Sequence, residues 1–469
     1  MATNNQTGKL SAKTIFGYGA AGYGAAMFYN NFCFYALYFF TDYVGMAPFI
    51  ASLVISLGAI WDAITDPVTG HWSDHRDPKK GRRRPFLLYA ALPLAIFNWL
   101  AFTDPGLRGG KIILFYVIVI FGAYLCQTMV DIPYTALGTE ITEDYDERSK
   151  LSSARNIFWL ISILISSYFL AIVDVFGGGT GGYSKASLLC SIPIVITIWI
   201  AYAATKGLEL QEVKHNDEEK FSFRRSYIEP FKNKPFRFVT ALFALSIVAQ
   251  AVNNSVSIYF YTHVMELSET ATANFLVYAA LCGFLGIWLA NKVCLKVDKK
   301  WAWAIFMGCW AISMGGIGLF VLNPTSSLFI IAIFGLLYGM GLNVQYQLVW
   351  AMIPDCVEVD EWQTGERREG LFYGITNLIQ KLGAALIIAL SGVALTAIGY
   401  DGNAAVQPEG IVMSLRLLLT LGTSIPLILS IVCGFMNPMT RERHAALVDA
   451  LEKRKNGEPY DTSGFDAVL

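Results

Sequence analysis

Twelve stretches of about 18 or more mostly apolar residues run through this chain, at roughly 14–41, 48–72, 86–103, 112–137, 152–175, 185–204, 234–262, 271–293, 301–322, 326–352, 370–398 and 412–436. Such a stretch crosses about 30 Å of hydrocarbon as an α-helix, the form that satisfies every backbone polar group inside one segment. The sequence therefore predicts an all-α membrane protein of twelve transmembrane helices. Only 15% of the residues are charged and 55% are hydrophobic, where soluble domains carry about 25% charge. A formal charge of −1 leaves no basic excess to hold nucleic acid. The eight cysteines are scattered through apolar segments with no CxxC pair, so neither a disulfide framework nor a thiol metal site is expected. No small-residue cleavage site ends the first apolar segment, so no cleaved signal peptide is expected.

Charge sets the expected orientation. With both termini cytoplasmic, the outer loops hold only Arg108, Lys111 and Lys185 of the 35 basic residues, as the positive-inside rule requires. A plasma-membrane location follows, the bacterial inner membrane in particular, with lipids as the surrounding partner and a monomer as the expected working unit. The longest polar interruption divides the chain into a six-helix bundle (1–204), a cytoplasmic middle loop (205–233), a second six-helix bundle (234–437) and a cytoplasmic tail (438–469). Internally duplicated transporters have this pattern. "YNNFCFYALYFFTDYVG" in the first span and "VNNSVSIYFYTHVM" in the seventh share an Asn-Asn pair and then an aromatic run ending in threonine.

Three carboxylates interrupt apolar helices. Asp62 and Asp66 are four apart on one face of the second span, and Asp131 lies in the fourth. A charged Asp at the bilayer centre costs about 2.5–3.5 kcal/mol, so such groups face a partner or a wet cavity. Adjacent carboxylates repel each other, and a bound cation or proton relieves the repulsion. Thr65 and Thr128 offer hydroxyl oxygens to the same site, as hard cations favour. The alternative places Asp66 and Asp131 at helix ends, because about 18 residues past the outer end is roughly 27 Å of helix. Lys381 is a fourth intramembrane charge, on a stripe with Tyr373, Asn377 and Gln380 at i, i+4, i+7 and i+8 spacing. That stripe reads either as cavity lining or as a packed polar helix interface.

At these residues the chain resembles the glycoside–pentoside–hexuronide:cation symporters, the melibiose-permease-like branch of the major facilitator superfamily. "FFTDYVG", "IWDAITDPVTG" followed by "GRRRP", "DIPYTALGTEIT" with "DYDERSKLSSAR", "PDCVEVDEWQTGERREG" and "QKLGAA" fall in that family's order, nearly end to end. The resemblance implies two pseudo-symmetric six-helix bundles around a central cavity, with a coupling cation, Na+ or H+, as the only cofactor-like partner. It implies that Asp62, Asp66, Thr128 and Asp131 carry the ion, and that Arg155 and Lys381 lie near the sugar. Thr65 stands where melibiose-transporting members have Asn, which leaves the ion open among Na+, Li+ and H+. Their first-helix sugar-binding Asp aligns near Gly24, and their Trp four residues after the fourth-helix Asp is Thr135 here, which leaves the sugar open.

Sugar sites combine paired hydrogen-bonding side chains with an aromatic face. The candidates are Tyr23, Asn30, Asn31, Gln127, Asp131, Arg155, Asn253, Asn254, Gln345, Tyr373, Asn377 and Lys381, with Trp350 or Trp61 as the stacking platform. Each amide is equally a helix-joining group. The expected function is symport of a cation with a glycoside, pentoside or hexuronide, and the alternative is a cation-coupled lysolipid or other amphiphile symporter. Loop charges offer a cytoplasmic gate: Arg82, Arg83, Arg84, Glu140, Asp144, Arg148, Asp355, Glu358 and Arg367. Exposed pairs of this kind contribute only about 0–1 kcal/mol, so a solvated face competes with a gate. His71 and His75 share a helical HxxxH spacing with no evident third ligand, so no metal site is expected. Nor is a nucleophile elbow or phosphate loop found in context, so an enzyme is not expected. A sensor would need a folded cytoplasmic domain, which the short polar segments do not supply.

Overall fold

A computed structural model describes residues 9–74, 76, 81–142, 144–208, 228–320, 328–402, 404 and 407–469. His75, most of the basic loop 77–80 and most of the middle loop (209–227) lie outside the described residues. Among the described residues there are fourteen α-helices and no strand. They are α1 (Ala12–Tyr38), α2 (Pro48–Asp74), α3 (Arg84–Ala101), α4 (Gly110–Glu140), α5 (Tyr145–Ser167), α6 (Phe169–Val175), α7 (Gly179–Ala204), α8 (Lys234–Tyr259), α9 (Glu269–Cys294), α10 (Lys299–Phe320), α11 (Leu328–Thr364), α12 (Glu369–Ala397), α13 (Glu409–Met436) and α14 (Arg441–Asn456).

Each of the twelve expected spans falls in one of these helices, with α5 and α6 forming one span bent by 47° at Tyr168. Among the described residues nine helices, or ten spans with the bent pair, are each long and apolar enough to cross a membrane; α1 and α11 are not among them. Large apolar side chains such as Ile64, Val68, Leu114 and Ile118 stay exposed along the helices, which suits a chain whose outer solvent is hydrocarbon. Side-chain oxygens satisfy helix starts: Ser11 accepts from the Thr14 amide, Asp144 from that of Glu147, Asn233 from that of Phe236 and Thr440 from that of Arg443.

The faint sequence repeat has a structural counterpart. α1 ends in a π-helical turn, Phe39–Tyr43, and α8 in another, Phe260–Val264, each five residues long and each containing the threonine of the shared pattern. In both, the residue after the turn donates its amide to the turn's first carbonyl, Val44 to Phe39 and Met265 to Phe260.

The chain forms two compact units. The first comprises Met1–Asn216 with Leu267–Val277 and Ile388–Ile411. In it α1 packs on α5 and α7, and α4 on α2 and α3. Its α1–α5 contact is close because glycines face it: a Cβ on Gly19 would meet Ala154, and one on Gly22 the backbone oxygen of Arg155. The second unit comprises Asp217–Glu266, Tyr278–Ile387 and Val412–Leu469. There α11 packs on α8, α10 and α14. Val359, Met439, Leu447, Ala450, Leu451, Phe465 and Val468 form a buried apolar cluster that seats the tail helix on the end of α11.

Candidate functional site

Asp66 is not a helix-end residue. α2 runs on to Asp74 with Pro67 inside it, and α4 runs on to Glu140 past Asp131. Because proline has no N–H, the ladder bond from position 67 to the Ala63 carbonyl is missing, which leaves a backbone oxygen near the carboxylates.

The second and fourth spans bring the expected cation residues together. The Thr128 hydroxyl lies 2.8 Å from Oδ1 of Asp62 and 3.2 Å from Oδ1 of Asp66. Thr65 Oγ1 is 3.3 Å from Thr128 Oγ1 and 3.2 Å from the Asp62 carbonyl oxygen. Asp62, Thr65 and Thr128 are 8%, 5% and 1% exposed. One hydroxyl has one proton to donate, yet Thr128 stands between two carboxylates. Two acids and two hydroxyls make an oxygen-only set of the kind that hard cations or a shared proton require. Asp131 lies on the next turn of α4 from Thr128, half-buried.

Arg155, on α5, donates from Nη1 to Thr135 Oγ1 at 3.1 Å. Among the described residues the salt bridges do not include it, so a half-buried guanidinium is answered by a neutral hydroxyl. The first-helix and fourth-helix amides join helices. Asn30 donates to Ser162 Oγ, Asn31 accepts from Ser166 Oγ, and Gln127 donates to the Ala25 carbonyl. Tyr23 is buried, and Trp61 stacks on Phe121 at 5.4 Å.

In the second unit, Asn253 donates to the Tyr338 hydroxyl at 2.8 Å and is fully buried, as is Gln345. Neither amide atom of Gln345 has a protein partner, and the same holds for Oδ1 of Asn254. Trp350 stacks on Tyr373 with centroids 5.6 Å apart, and Phe243 lies 6.4 Å from Trp350. Tyr346 donates to Gln250 Oε1 at 2.6 Å and accepts from Gln380 at 3.5 Å. The stacking platform expected at Trp350 is thus a cluster that includes Tyr346, Gln250 and Phe243, which the sequence reading did not single out. Only the i−4 spacing of Tyr346 from Trp350 hinted at it. Asn377 is exposed on α12 and Lys381, one turn on, is half-buried.

The expected gating charges find partners inside their own unit. Arg82 and Arg83 both reach Glu140 Oε1, at 2.5 and 3.0 Å, with all three side chains buried, and Arg83 also bonds Ser73. Arg84 donates to the Tyr202 carbonyl, Arg148 to those of Thr139 and Thr142, and Asp144 caps α5. Asp355 and Glu358 are not loop residues: α11 continues to Thr364, carrying Asp355, Glu358 and Glu361 on one face. That acidic row stays helical because cations answer it: Lys299 meets Asp355 at 2.7 Å, His444 meets Glu358 at 2.6 Å, and Lys455 meets Glu361 at 2.7 Å. Arg367 pairs with Glu369 and Glu361. Burial pushes the Asp355 carboxyl up, with the Lys299 ammonium drawing it back. The Glu358 carboxylate raises His444 above its usual 6.5, against a smaller opposing effect of burial. No group of three or more His, Cys, Asp and Glu able to hold a metal occurs among the described residues.

Helices of this number and length, with carboxylates and a half-buried arginine set between them, define a multi-pass membrane transporter with the major facilitator fold. Solved structures agree on the fold. The nucleoside transporter NupG matches with a TM-score of 0.61 at 12% identity, covering 93% of this chain and 99% of that one. A bacterial homologue of the human lysosomal transporter Spinster, inward-facing and unoccupied, matches at 0.61 and 12%, covering 90% and 94%. The chain belongs to the MFS/sugar transport protein family, whose model matches residues 16–441. It is therefore a sugar-transport protein of the major facilitator type and not an enzyme. Relatives include an uncharacterized symporter of Synechocystis, 28% identical over 95% of this chain and 98% of its own length. A putative sulfoquinovose importer of Escherichia coli is 28% identical, covering 97% of each chain. A putative glycoside/cation symporter of the same organism is 27% identical, covering 87% and 88%.

Proposed function

We propose that this protein is a secondary active symporter that couples inward movement of Na+ or H+ to uptake of a glycoside, pentoside or hexuronide, as a monomer in the bacterial inner membrane with both termini cytoplasmic. The observation that carries the reading is the Thr128 hydroxyl, within hydrogen-bond distance of both the buried Asp62 carboxylate and the half-buried Asp66 carboxylate. A cation or proton there relieves the repulsion between the two carboxylates. Ion binding and sugar binding then favour one another through Asp131 and Arg155, by the reciprocity that linkage demands. Relatives described as a putative glycoside/cation symporter and a putative sulfoquinovose importer support a sugar cargo. An anionic sugar suits Arg155, whose hydrogen bond goes to the neutral Thr135. The two six-helix bundles would supply the alternating halves.

Uptake into proteoliposomes tests this. An imposed Na+ or H+ gradient is expected to drive saturable accumulation of at least one member of a panel of glycosides, uronides and sulfonated sugars. One charge crossing 100 mV supports roughly 40-fold accumulation. Saturable lysophosphatidylcholine uptake without sugar uptake, or sugar uptake indifferent to every cation gradient, would overturn the proposal.

A further inference from the structure

Between the acids of α2 and α4 and the arginine of α5 runs a polar seam built on α1. Tyr18 of α1 and Tyr134 of α4 exchange hydrogen bonds: the Tyr18 hydroxyl donates to the Tyr134 carbonyl at 3.3 Å, and the Tyr134 hydroxyl to the Tyr18 carbonyl at 3.0 Å. Their rings are 4.7 Å apart, and both side chains are buried. Tyr134 lies three residues after Asp131, on the next turn of the same face. Both hydroxyls feel the charges of Asp131 and Arg155. Thr135, the neighbour of Tyr134, holds the Arg155 guanidinium.

The seam has little slack. A Cβ on Gly22 would strike the Arg155 backbone oxygen, and one on Gly138 would strike the Tyr18 hydroxyl. α1 therefore sits directly on the backbone of Arg155, while its tyrosine is clamped to the turn of α4 that follows Asp131. A shift of that turn moves Tyr134 and Thr135 together. It then reaches Arg155 by two routes, through Thr135 directly and through Tyr18 and the α1 backbone. Packed interfaces of this kind move as units and do not deform smoothly.

We infer that the reciprocal Tyr18–Tyr134 pair is a positioning element that transmits occupancy of the acidic site to Arg155. The inference rests on the reading of Asp62, Asp66 and Asp131 as the cation site and Arg155 as a cargo residue. Neither tyrosine is assigned contact with ion or sugar; each acts through the residues it holds.

The test needs no identified sugar. Purified protein is treated with phenylglyoxal with and without saturating Na+, and across a pH series for the proton, and modification of Arg155 is followed by peptide mass spectrometry. Thermal unfolding in the same conditions reports occupancy, since a ligand of the native state stabilises it. In the wild type, the stabilising cation is expected to change the Arg155 modification rate by about fivefold, the scale of one hydrogen bond. In Tyr18→Phe and in Tyr134→Phe, which keep the rings, the cation is expected still to stabilise the protein while the Arg155 response falls to about half or less of the wild-type change, the remainder passing through Thr135. If the response is undiminished in both variants, or is missing in a wild type that the cation does stabilise, the inference is wrong. If no cation stabilises the wild type, the symport reading fails and takes the inference with it.

Discussion

Tyr43 donates its hydroxyl to Oε1 of Glu269 at 2.7 Å, tying the π-helical turn after α1 to the first residue of α9. Tyr400 likewise donates to Asp42 at 2.5 Å, Thr270 to Asp174 at 2.6 Å, and the Phe49 amide to Thr396 at 3.1 Å. These bonds explain why Leu267–Val277 and Ile388–Ile411 pack within the unit formed by the first seven helices. Carriers that open alternately must break such contacts in part of the cycle. Replacing Tyr43 and Tyr400 together by Phe is expected to raise amide hydrogen exchange in 267–277 and 388–411 by about tenfold or more, since hydrogen bonds to charged groups contribute roughly 1.5–3 kcal/mol. Unchanged exchange in the double variant would assign the packing to apolar contact instead.

Thr128→Val keeps the shape of the side chain and removes the hydroxyl shared by Asp62 and Asp66. The half-saturating concentration of the coupling cation is expected to rise by about tenfold, with sugar affinity at saturating cation little changed. Asp62→Asn or Asp66→Asn is expected to abolish gradient-driven accumulation in proteoliposomes. Full cation-driven uptake in both Asn variants would remove the site from the mechanism.

Glu140 is the shared partner of two buried arginines. Glu140→Gln leaves two guanidinium groups without their counter-charge, and breaking a buried pair this way costs about 3–5 kcal/mol. A lower melting temperature is expected, and added salt should restore little of it, because buried pairs are weakly screened. A variant as stable as the parent would mean that Arg82 and Arg83 turn to water.

His444 makes the docking of the tail helix sensitive to pH. The groups facing it are Glu358 and Asp355 of α11, which favour its charged form, and Lys299 of α10, which opposes it. Its pKa is raised above the usual 6.5, so its contribution is complete below about 6.5 and is lost as pH rises through the raised value. Trypsin cleavage within Arg441–Asn456 is therefore expected to speed up on going from acid to mildly alkaline pH, and His444→Gln should flatten that dependence. The apolar cluster around Leu447 and Phe465 keeps part of the docking at every pH. A wild-type profile identical to that of His444→Gln would exclude the histidine.

The membrane class, the twelve spans and the acids at 62, 66 and 131 were legible in the sequence because lipid imposes a length and tolerates few charges. Asp62, Thr65 and Asp66 share one side of α2 by helical spacing, whereas Thr128 of α4 reaches them only through packing. The amides read differently once partners were known. Asn30, Asn31, Gln127 and Asn253 each bond a neighbouring helix, and an Asn in an apolar helix has the same sequence signature whether it faces a cavity or another helix. Asp355 and Glu358, expected in a loop, are helical because Lys299 and His444, distant in sequence, neutralise the row they belong to.

Local sequence thus determined which segments are helices, which of them are apolar enough to cross a bilayer and which charges need a reason to be there, because those depend on spacing along one chain. The tertiary structure alone decided who answers each charge: Thr128 for two carboxylates, Thr135 for Arg155, Glu140 for two arginines, and the reciprocal tyrosines that no spacing rule connects. Those pairings join positions some 20 to 116 residues apart, and contact across such separations depends on how helices pack, which the pattern within a single helix does not encode.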